Sequence, residues 1–191
     1  MSPKLDAKLC EKYPKLMVNR FKPMTETCMC WGFECGDGWY TILDRLMSNI
    51  QHHIDWKEEQ QNRAIKHNTM VEKMKAGDFA DFDAMTETWT ADYKELQRQR
   101  FLEDNPRTVP DAVPQVTLDQ VKEKFGTLRF YYTGGDDYIR GLVSMAEAMS
   151  SVTCEQCGAP GKLVGSGWLY TACDAHTKEE HKDSDELQNL P

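Results

Sequence analysis

The sequence contains no long apolar segment, no excess of positive charge and no familiar catalytic motif, and each absence narrows the function. No run of apolar residues approaches the roughly 20 that a membrane-spanning helix needs. The formal net charge of -8 argues against broad binding to nucleic acid or an anionic membrane, although it leaves room for a local basic patch. The chain has no P-loop, G-x-S-x-G, H-E-x-x-H or dinucleotide fingerprint, which lowers the expectation of an enzyme.

The N-terminal stretch MSPKLDAKLCEKYPKLM has regularly spaced lysines and no apolar core of the kind that secretory signals have. We therefore expect a cytoplasmic protein, whose cysteines stay reduced. The cysteine count of seven is odd, which also fits poorly with a closed set of disulfides. The thiols are then expected to be buried apolar residues, metal ligands or reactive groups.

The composition is that of a globular protein with one domain, or one domain and a small satellite. With 191 residues, 28% charged and 40% hydrophobic, the chain can bury a core without help from a metal. Apolar residues at helical spacing after Trp39 and again after Phe79 predict two helices, separated at Gly77 and packed as an antiparallel hairpin. The polar middle of this hairpin is expected to be a solvated face, and a surface that binds a partner is the alternative.

After three prolines the pattern changes to that of strands. The stretch VTLDQVKEKFGTLRFYY predicts a β-hairpin with its turn near Lys124 to Gly126, and the following GGDD places Asp136 or Asp137 at the cap of a helix running to about Ser150. The predicted fold class is α+β: a helical hairpin packed with a β-hairpin and helix, plus a C-terminal zinc-ribbon or treble-clef-like module. The predicted segments are 1–105, mainly helical with a Cys/Gly-rich loop at 28–38; 106–152, the β-hairpin and helix; 153–176, the zinc-binding module; and 177–191, an acidic tail.

The stretch TCEQCGAPGKLVGSGWLYTACDAH has the spacing of a metal site. Cys154 and Cys157 form C-x2-C, and Cys173 and His176 form C-x2-H after fifteen intervening residues. Two residues between thiolates let both sulfurs reach one tetrahedral zinc ion, and two such turns joined by a hairpin make a zinc-ribbon-like module. A closed Cys3His set predicts a structural zinc cofactor. A redox dithiol and unrelated buried cysteines are the alternatives.

A second group of thiols, Cys28, Cys30 and Cys35, lies in a loop rich in glycine and tryptophan. The favoured interpretation is buried thiols in a tight loop. A second metal site completed by Cys10, His52 or His53, and a reactive thiol, are the alternatives.

The stretch KEKFGTLRFYY places Lys122, Lys124 and Arg129 among aromatic residues on the predicted hairpin. The side chains on one face of this hairpin are expected to pack in the core. The other face, with Arg129 and Tyr131, is the best candidate for a nucleotide, nucleic-acid or protein contact, because exposed aromatic rings beside cations can stack bases.

Adjacent histidines point about 100° apart on a helix, so His52 and His53 are expected to lie on a helix surface and not to share one ion. Asp136 is expected to cap the helix that follows it. An unrecognised metal-dependent enzyme that uses these three residues stays an alternative.

Three segments together resemble an uncharacterised protein family of tailed bacteriophages, prophages and bacterial genomes: ETCMCWGFECGDGWY, VKEKFGTLRFYYTGGDDYIRGLVSMAEAMS and TCEQCGAPG…GW…CDAH. The resemblance implies a phage or mobile-element setting, and with it the host cytoplasm. It carries over no functional residues. The leading hypothesis is a non-enzymatic, zinc-stabilised phage-type accessory protein that binds a host macromolecule, such as a counter-defence or host-takeover inhibitor. A host protein is the expected partner; a nucleic-acid or nucleotide-binding module and a metal-dependent enzyme are the alternatives.

Overall fold

The computed structural model describes residues 1–181 and has a mixed α+β fold, which confirms the predicted class. It combines helices with a three-stranded and a two-stranded sheet and has a C-terminal Cys/His cluster that could hold a metal ion. The described chain divides into two compact units: Met1–Ile54 with the described residues of Val113–Pro191, and Asp55–Ala112. The predicted division into four segments differs from this one, because it rests on composition and turn signals.

Three helices contribute to the first unit. Helix α1, Pro3–Lys12, begins with a proline whose fixed φ suits the first helical position. Helix α2, Tyr40–Lys75, starts in this unit and continues into the second. Helix α5, Asp137–Ser150, begins after Asp136, whose carboxylate accepts a hydrogen bond from the Ile139 N–H at 3.1 Å. The predicted cap and end of α5 are therefore those observed.

The three-stranded sheet consists of β1, Phe33–Glu34, β2, Thr117–Lys124, and β3, Thr127–Thr133. Strands β2 and β3 form the predicted antiparallel hairpin. Phe125 and Gly126 connect them with φ values of 56° and 79°, as in a two-residue type I′ turn. Strand β1 pairs in parallel with β2 and was not predicted, because it is only two residues long and its partner lies far along the chain.

The inner face of the sheet packs on α1, the first half of α2 and α5 around one apolar core. The residues that α2 contributes were mostly predicted from helical spacing, and Trp39 precedes them as a fully buried side chain. The largest fully buried members of this core are Leu9, Leu16, Met29, Trp39, Leu43, Met47, Ile50, Leu118, Leu128 and Ile139.

The chain after α5 forms a small module on strands β4, Lys162–Val164, and β5, Tyr170–Ala172, which pair antiparallel. A 3₁₀ turn, Glu179–His181, follows. The predicted acidic tail begins at 177, and its residues beyond 181 lie outside the described residues.

The second unit corrects the prediction of one long second helix. Helix α2 ends near Gly77, as predicted, but the next stretch forms two helices, α3, Ala80–Met85, and α4, Ala91–Glu103. The break follows Thr86, whose hydroxyl donates to the Phe82 carbonyl at 2.7 Å and so competes with helix continuation. Among residues 1–181, no helix is both long enough and apolar enough to cross a bilayer.

Candidate metal centre

Two tight turns supply the ligands of the candidate metal centre, and the first follows α5 almost directly. The Gly158 N–H donates to the Cys154 carbonyl, and the Cys154 N–H donates to the Ala159 carbonyl, each at 2.8 Å. Gly158 has a φ of 78°, which a residue with a Cβ rarely adopts. The turn brings the sulfurs of Cys154 and Cys157 within 4.8 Å of each other.

The second turn begins where β5 ends. The backbone N–H groups of His176 and Thr177 both donate to the Cys173 carbonyl at 2.9 Å, which closes one helical turn and returns the imidazole toward the sulfur. His181, the next histidine along the chain and the alternative fourth ligand, instead has its Nδ1 3.0 Å from the Tyr170 hydroxyl. His176 is therefore the histidine that joins the cysteines.

The four predicted ligands lie together, with all their ligand atoms within 4.8 Å of one another. The Sγ atoms of Cys157 and Cys173 are 3.7 Å apart, and Nδ1 of His176 lies 3.6 Å from Cys154 Sγ and 3.3 Å from Cys173 Sγ. Within residues 1–181, this is the one group of three or more Cys, His, Asp or Glu side chains with such spacing. Three sulfurs and an imidazole suit a soft or borderline divalent ion.

The backbone around the cluster favours a thiolate at Cys154. Burial alone would raise the pKa of this thiol, but hydrogen bonds from the amides of Cys173, Cys157 and Gln156 outweigh it and lower the pKa to about 6. At Cys157 the Ala159 amide lowers the pKa, but desolvation and hydrogen bonds with the neighbouring sulfurs outweigh it and raise the pKa. A cation among these sulfurs would replace the protons that they otherwise share.

The first turn docks on the segment that follows Cys35 in the sequence. The Gly36 N–H donates to the Glu155 carboxylate at 2.8 Å, and the Gly38 N–H donates to the Glu155 carbonyl at 2.7 Å. The buried indole of Trp39 donates from Nε1 to the Thr153 carbonyl at 2.8 Å. We call residues 36–39 the docking segment, since these three contacts fix the metal-binding turn on it.

Gly38 is required for this close approach. A Cβ at this position would clash with the Cys154 carbonyl and the Gly158 nitrogen and lie 2.7 Å from the Cys157 nitrogen. Because all three are backbone atoms, none can rotate away. Sequence reasoning treated the glycines here as members of a compact loop; the G-x-G-W pattern beside a cysteine could have indicated a close backbone approach.

The loop thiols do not converge as the metal alternative requires. Cys35 is buried, and burial raises its pKa to about 12, whereas Cys28 is exposed. The Cys30 thiol donates to a carbonyl of its own loop at 3.2 Å, and the Cys10 thiol donates to the Asp6 carboxylate at 3.6 Å. Within the described region of the chain, none of these cysteines belongs to a cluster that could hold a metal.

Of the three residues of the histidine alternative, the structure brings two together, His53 and Asp136. Nε2 of His53 lies 2.8 Å from Oδ2 of Asp136, and the His53 ring stacks on Tyr138 with the ring centroids 4.4 Å apart. Asp136 also caps α5, so this pair ties the start of α5 to α2. His52 is exposed on the same helix. Across residues 1–181, no further carboxylate, cysteine or histidine completes a metal site around the His53 pair.

The predicted contact residues share the outer face of the sheet. Lys122 pairs across the strands with Arg129, and Gln120 pairs with Tyr131. Since alternate residues of a strand point to the same side, Lys122, Lys124, Arg129 and Tyr131 all lie on the face opposite the core.

No protein-family model matches the chain, and no curated protein and no solved structure matches it significantly. The class of the protein is therefore defined by the fold and the site: an α+β protein with a C-terminal Cys3His cluster that is docked on its main core.

Proposed function

We propose that this chain is a non-enzymatic binding protein whose scaffold is stabilised by a structural zinc ion. The observation that carries the proposal is the closed geometry of Cys154, Cys157, Cys173 and His176. Zinc bonds of about 2.3 Å to sulfur and about 2.0–2.1 Å to nitrogen make tetrahedral edges of about 3.8 Å between sulfurs and about 3.6 Å between sulfur and nitrogen. The distances of 3.7, 3.6 and 3.3 Å lie near these values.

Four protein ligands would occupy every position of a tetrahedral ion. Catalytic zinc keeps one position for water or substrate, so the donor set supports a structural role. The module also needs such an ion, because among residues 1–181 its buried apolar cluster is limited to Cys154, Val164 and Ala172, with Tyr170 and Cys173 partly buried against it. A segment with so little apolar burial takes its folding energy from the metal.

Because the proposed ion would serve folding, exposed side chains are expected to contact the partner. Several large aromatic residues are exposed, and aromatic side chains are enriched where proteins recognise partners. The most exposed are Phe21, Trp31, Phe125 and Trp168. The resemblance to tailed-phage proteins stays a prediction; it makes a bacterial host macromolecule the first partner to test, and host takeover or counter-defence the first setting.

The structural role is tested by replacing the metal with Co²⁺, whose visible spectrum reports its coordination. One ion per chain, a tetrahedral sulfur-rich spectrum and no spectral change on adding azide or a small thiol are expected. Cys154→Ser should lose the ion, and the matched Cys28→Ser should keep it. A spectrum that shifts with added anion would show an open position and overturn the structural assignment.

The binding role is tested with tagged, zinc-loaded full-length protein in bacterial lysate, with and without nuclease. A complex of defined stoichiometry that reassembles from purified components is expected. If no macromolecule meets that criterion, the proposed function is wrong, whatever the metal content.

A further inference from the structure

The outer face of the sheet combines positive charge with aromatic rings in a chain of net charge -8. We call the outward-facing residues Lys122, Lys124, Arg129 and Tyr131, together with Phe125 at the turn, the hairpin face. The Lys122 ammonium lies 5.6 Å from the Tyr131 ring centroid, and the Lys124 ammonium lies 5.4 Å from that of Phe125. The cations and rings are therefore interleaved and not segregated.

The cations of the hairpin face are not engaged in direct ion pairs in the described part of the chain. Within residues 1–181, none of Lys122, Lys124 and Arg129 forms an ion pair with a carboxylate, whereas Lys12 pairs with Asp44 at 2.7 Å.

The two nearest acids along the sheet have neutral partners. The Glu34 carboxylate accepts a hydrogen bond from the Gln120 amide at 3.1 Å, and the Glu123 carboxylate accepts one from the Gly126 N–H at 2.5 Å. These bonds leave both carboxylates charged, and Glu34 lies beside Lys122 in the sheet. The three cations exceed the two acids by one, so the hairpin face keeps a small positive charge that suits an anionic partner.

Phe125 is held in an unfavourable conformation. Its φ of 56° is left-handed, where a bulky side chain is an outlier, and a type I′ turn favours asparagine or glycine at this place. The side chain is 66% exposed, so burial does not offset the backbone strain. A strained and exposed aromatic residue is expected where the ring contacts something outside the chain.

A cleft of about 200 Å³ opens beside this turn. Phe125 and Trp168 line it together with Glu123, Lys124 and Leu169, and Trp168 is 77% exposed. This volume is below the roughly 300–1,000 Å³ of sites for drug-sized ligands, and it suits a single planar ring system. The small module on β4 and β5 thus adds a second ring, that of Trp168, to the end of the hairpin face.

We propose that the hairpin face and this cleft bind single-stranded nucleic acid, with phosphates on the three cations and bases stacked on the exposed rings. The proposal rests on the proposed binding function and names its partner class. Unpaired bases offer planar faces to aromatic side chains, which a duplex does not, and such stacking tolerates any sequence. An acidic peptide would use the cations but leave the rings without stacking partners.

The test measures fluorescence anisotropy of labelled single-stranded DNA and RNA of about 12 nucleotides against zinc-loaded full-length protein at several salt concentrations. Three phosphate contacts predict a slope of log K against log salt of about -2, from roughly 0.7 per contact on single strands. Arg129→Gln should make the slope shallower by about 0.7. Tyr131→Ala should weaken binding about 5-fold to 150-fold through lost stacking.

Two exposed residues of α4 provide matched controls, Arg100→Gln and Tyr93→Ala, and both should bind like the wild type. Zinc content and thermal midpoint of every variant show that the fold is kept. Absence of binding at about 50 mM salt, or equal losses in control and hairpin-face variants, would overturn the proposal.

Polyglutamate serves as the competitor for the peptide alternative. If it displaces the oligonucleotide and binds in a way that depends on Arg129 but not on Tyr131, the partner is an acidic peptide and the proposal is wrong. If the protein does not bind oligonucleotides but forms a stoichiometric protein complex in a nuclease-treated lysate, the nucleic-acid proposal is wrong and the proposed binding function is supported. If neither complex forms, both proposals are wrong.

Discussion

The main core of the first unit and the metal module, residues 153–177, are stabilised in different ways. The main core buries long apolar side chains from α1, α2, α5 and the sheet, and each contributes about 1.5–3 kcal/mol when fully buried. The module buries Cys154, Val164 and Ala172 and is rich in glycine. Its conformation rests instead on backbone hydrogen bonds and, in the proposed function, on a metal ion held by Cys154, Cys157, Cys173 and His176. The main core is thus expected to fold without a metal ion, and the module is expected to require one.

The seam between these two regions is polar. Gly38 and Trp39 donate to backbone carbonyls of the first metal-binding turn, and the Thr171 hydroxyl donates to the Gly126 carbonyl at 2.6 Å. Hydrogen bonds fix the module's orientation more specifically than apolar contact does, because they require defined distances and angles. The module is therefore positioned, and not merely attached, beside the hairpin turn.

The largest expected effect is that of removing the metal site. Cys154→Ser, or a chelator, should release the ion and unfold the module, because structural zinc contributes about 10–16 kcal/mol to folding of such segments. The helices of the main core should remain, since their apolar burial does not involve the ion. Metal content, backbone NMR signals of residues 153–177 and far-ultraviolet circular dichroism separate the two regions. Loss of the helical signal together with the metal would show that the main core also depends on the ion.

Leu43→Ala should have the converse effect. This side chain is fully buried in the main core, and such a truncation costs about 2–5 kcal/mol through lost burial and the cavity left behind. Urea unfolding should show a lower midpoint, while the folded variant still binds one ion per chain. Leu96→Ala, at an exposed position of α4, is the matched control and should change stability little. A Leu43→Ala protein that folds but loses its metal would show that the regions are inseparable.

The sequence predicted those features that residues a few positions apart determine. The Cys3His cluster follows from two C-x2 spacings, the α5 cap follows from the aspartates after the strand, and the hairpin follows from alternation around a glycine turn. The docking segment was missed because its contacts join Gly38 to Glu155, and β1 was missed because Phe33 pairs with Val121. No local pattern encodes which distant backbone a glycine approaches.

The same limit explains two other differences. The contact between His53 and Asp136 spans 83 residues, so sequence spacing could not show that these two candidates meet. The second long helix was wrongly predicted because apolar spacing continued through the threonines near Thr86, where side-chain hydrogen bonding to the backbone ends the helix.

Gly38→Ala tests the seam from the main-core side. The new methyl group would meet three backbone atoms of the metal-binding turn, so we expect a cost of about 3 kcal/mol and weaker metal retention. Competition with a chromogenic zinc chelator measures the retention. Gly141→Ala, in α5, is the matched control, because nothing lies within 4 Å of the new Cβ and the helix gains from alanine. Unchanged metal affinity in Gly38→Ala would show that the docking segment does not constrain the ligands.

Thr171→Val tests the seam from the module side. The substitution keeps the shape of a side chain that is 1% exposed but removes its hydrogen bond to the Gly126 carbonyl. Leaving that acceptor without its donor should cost about 1–2 kcal/mol. The loss of stability is measured as a lower midpoint of thermal unfolding, with release of the metal ion as the signal. Thr127→Val loses two hydroxyl hydrogen bonds in a more exposed setting, one donated to the Lys124 carbonyl and one accepted from the Arg129 guanidinium, and it should cost less because water can replace both. Equal costs would show that burial of the Thr171 bond adds nothing to stability.

Phe125→Asn should have the smallest effect on stability, and it should have the opposite sign. Asparagine tolerates the left-handed conformation that this turn requires, so relief of backbone strain should add about 0.5–1 kcal/mol to the free energy of unfolding. That gain corresponds to a rise of roughly 1–4 °C in the thermal midpoint for a protein of this length.

The matched control is Phe21→Asn, at a more exposed phenylalanine, because Phe125 is the one non-glycine residue with positive φ in the described chain. Phe21→Asn should give no stabilisation. In the same Phe125→Asn protein, affinity for single-stranded oligonucleotides should fall, since the cleft between the hairpin turn and the metal module loses a stacking ring. Higher stability with weaker binding would show that the turn keeps phenylalanine for recognition; higher stability with unchanged binding would leave the strain without that explanation and remove the turn from the binding surface.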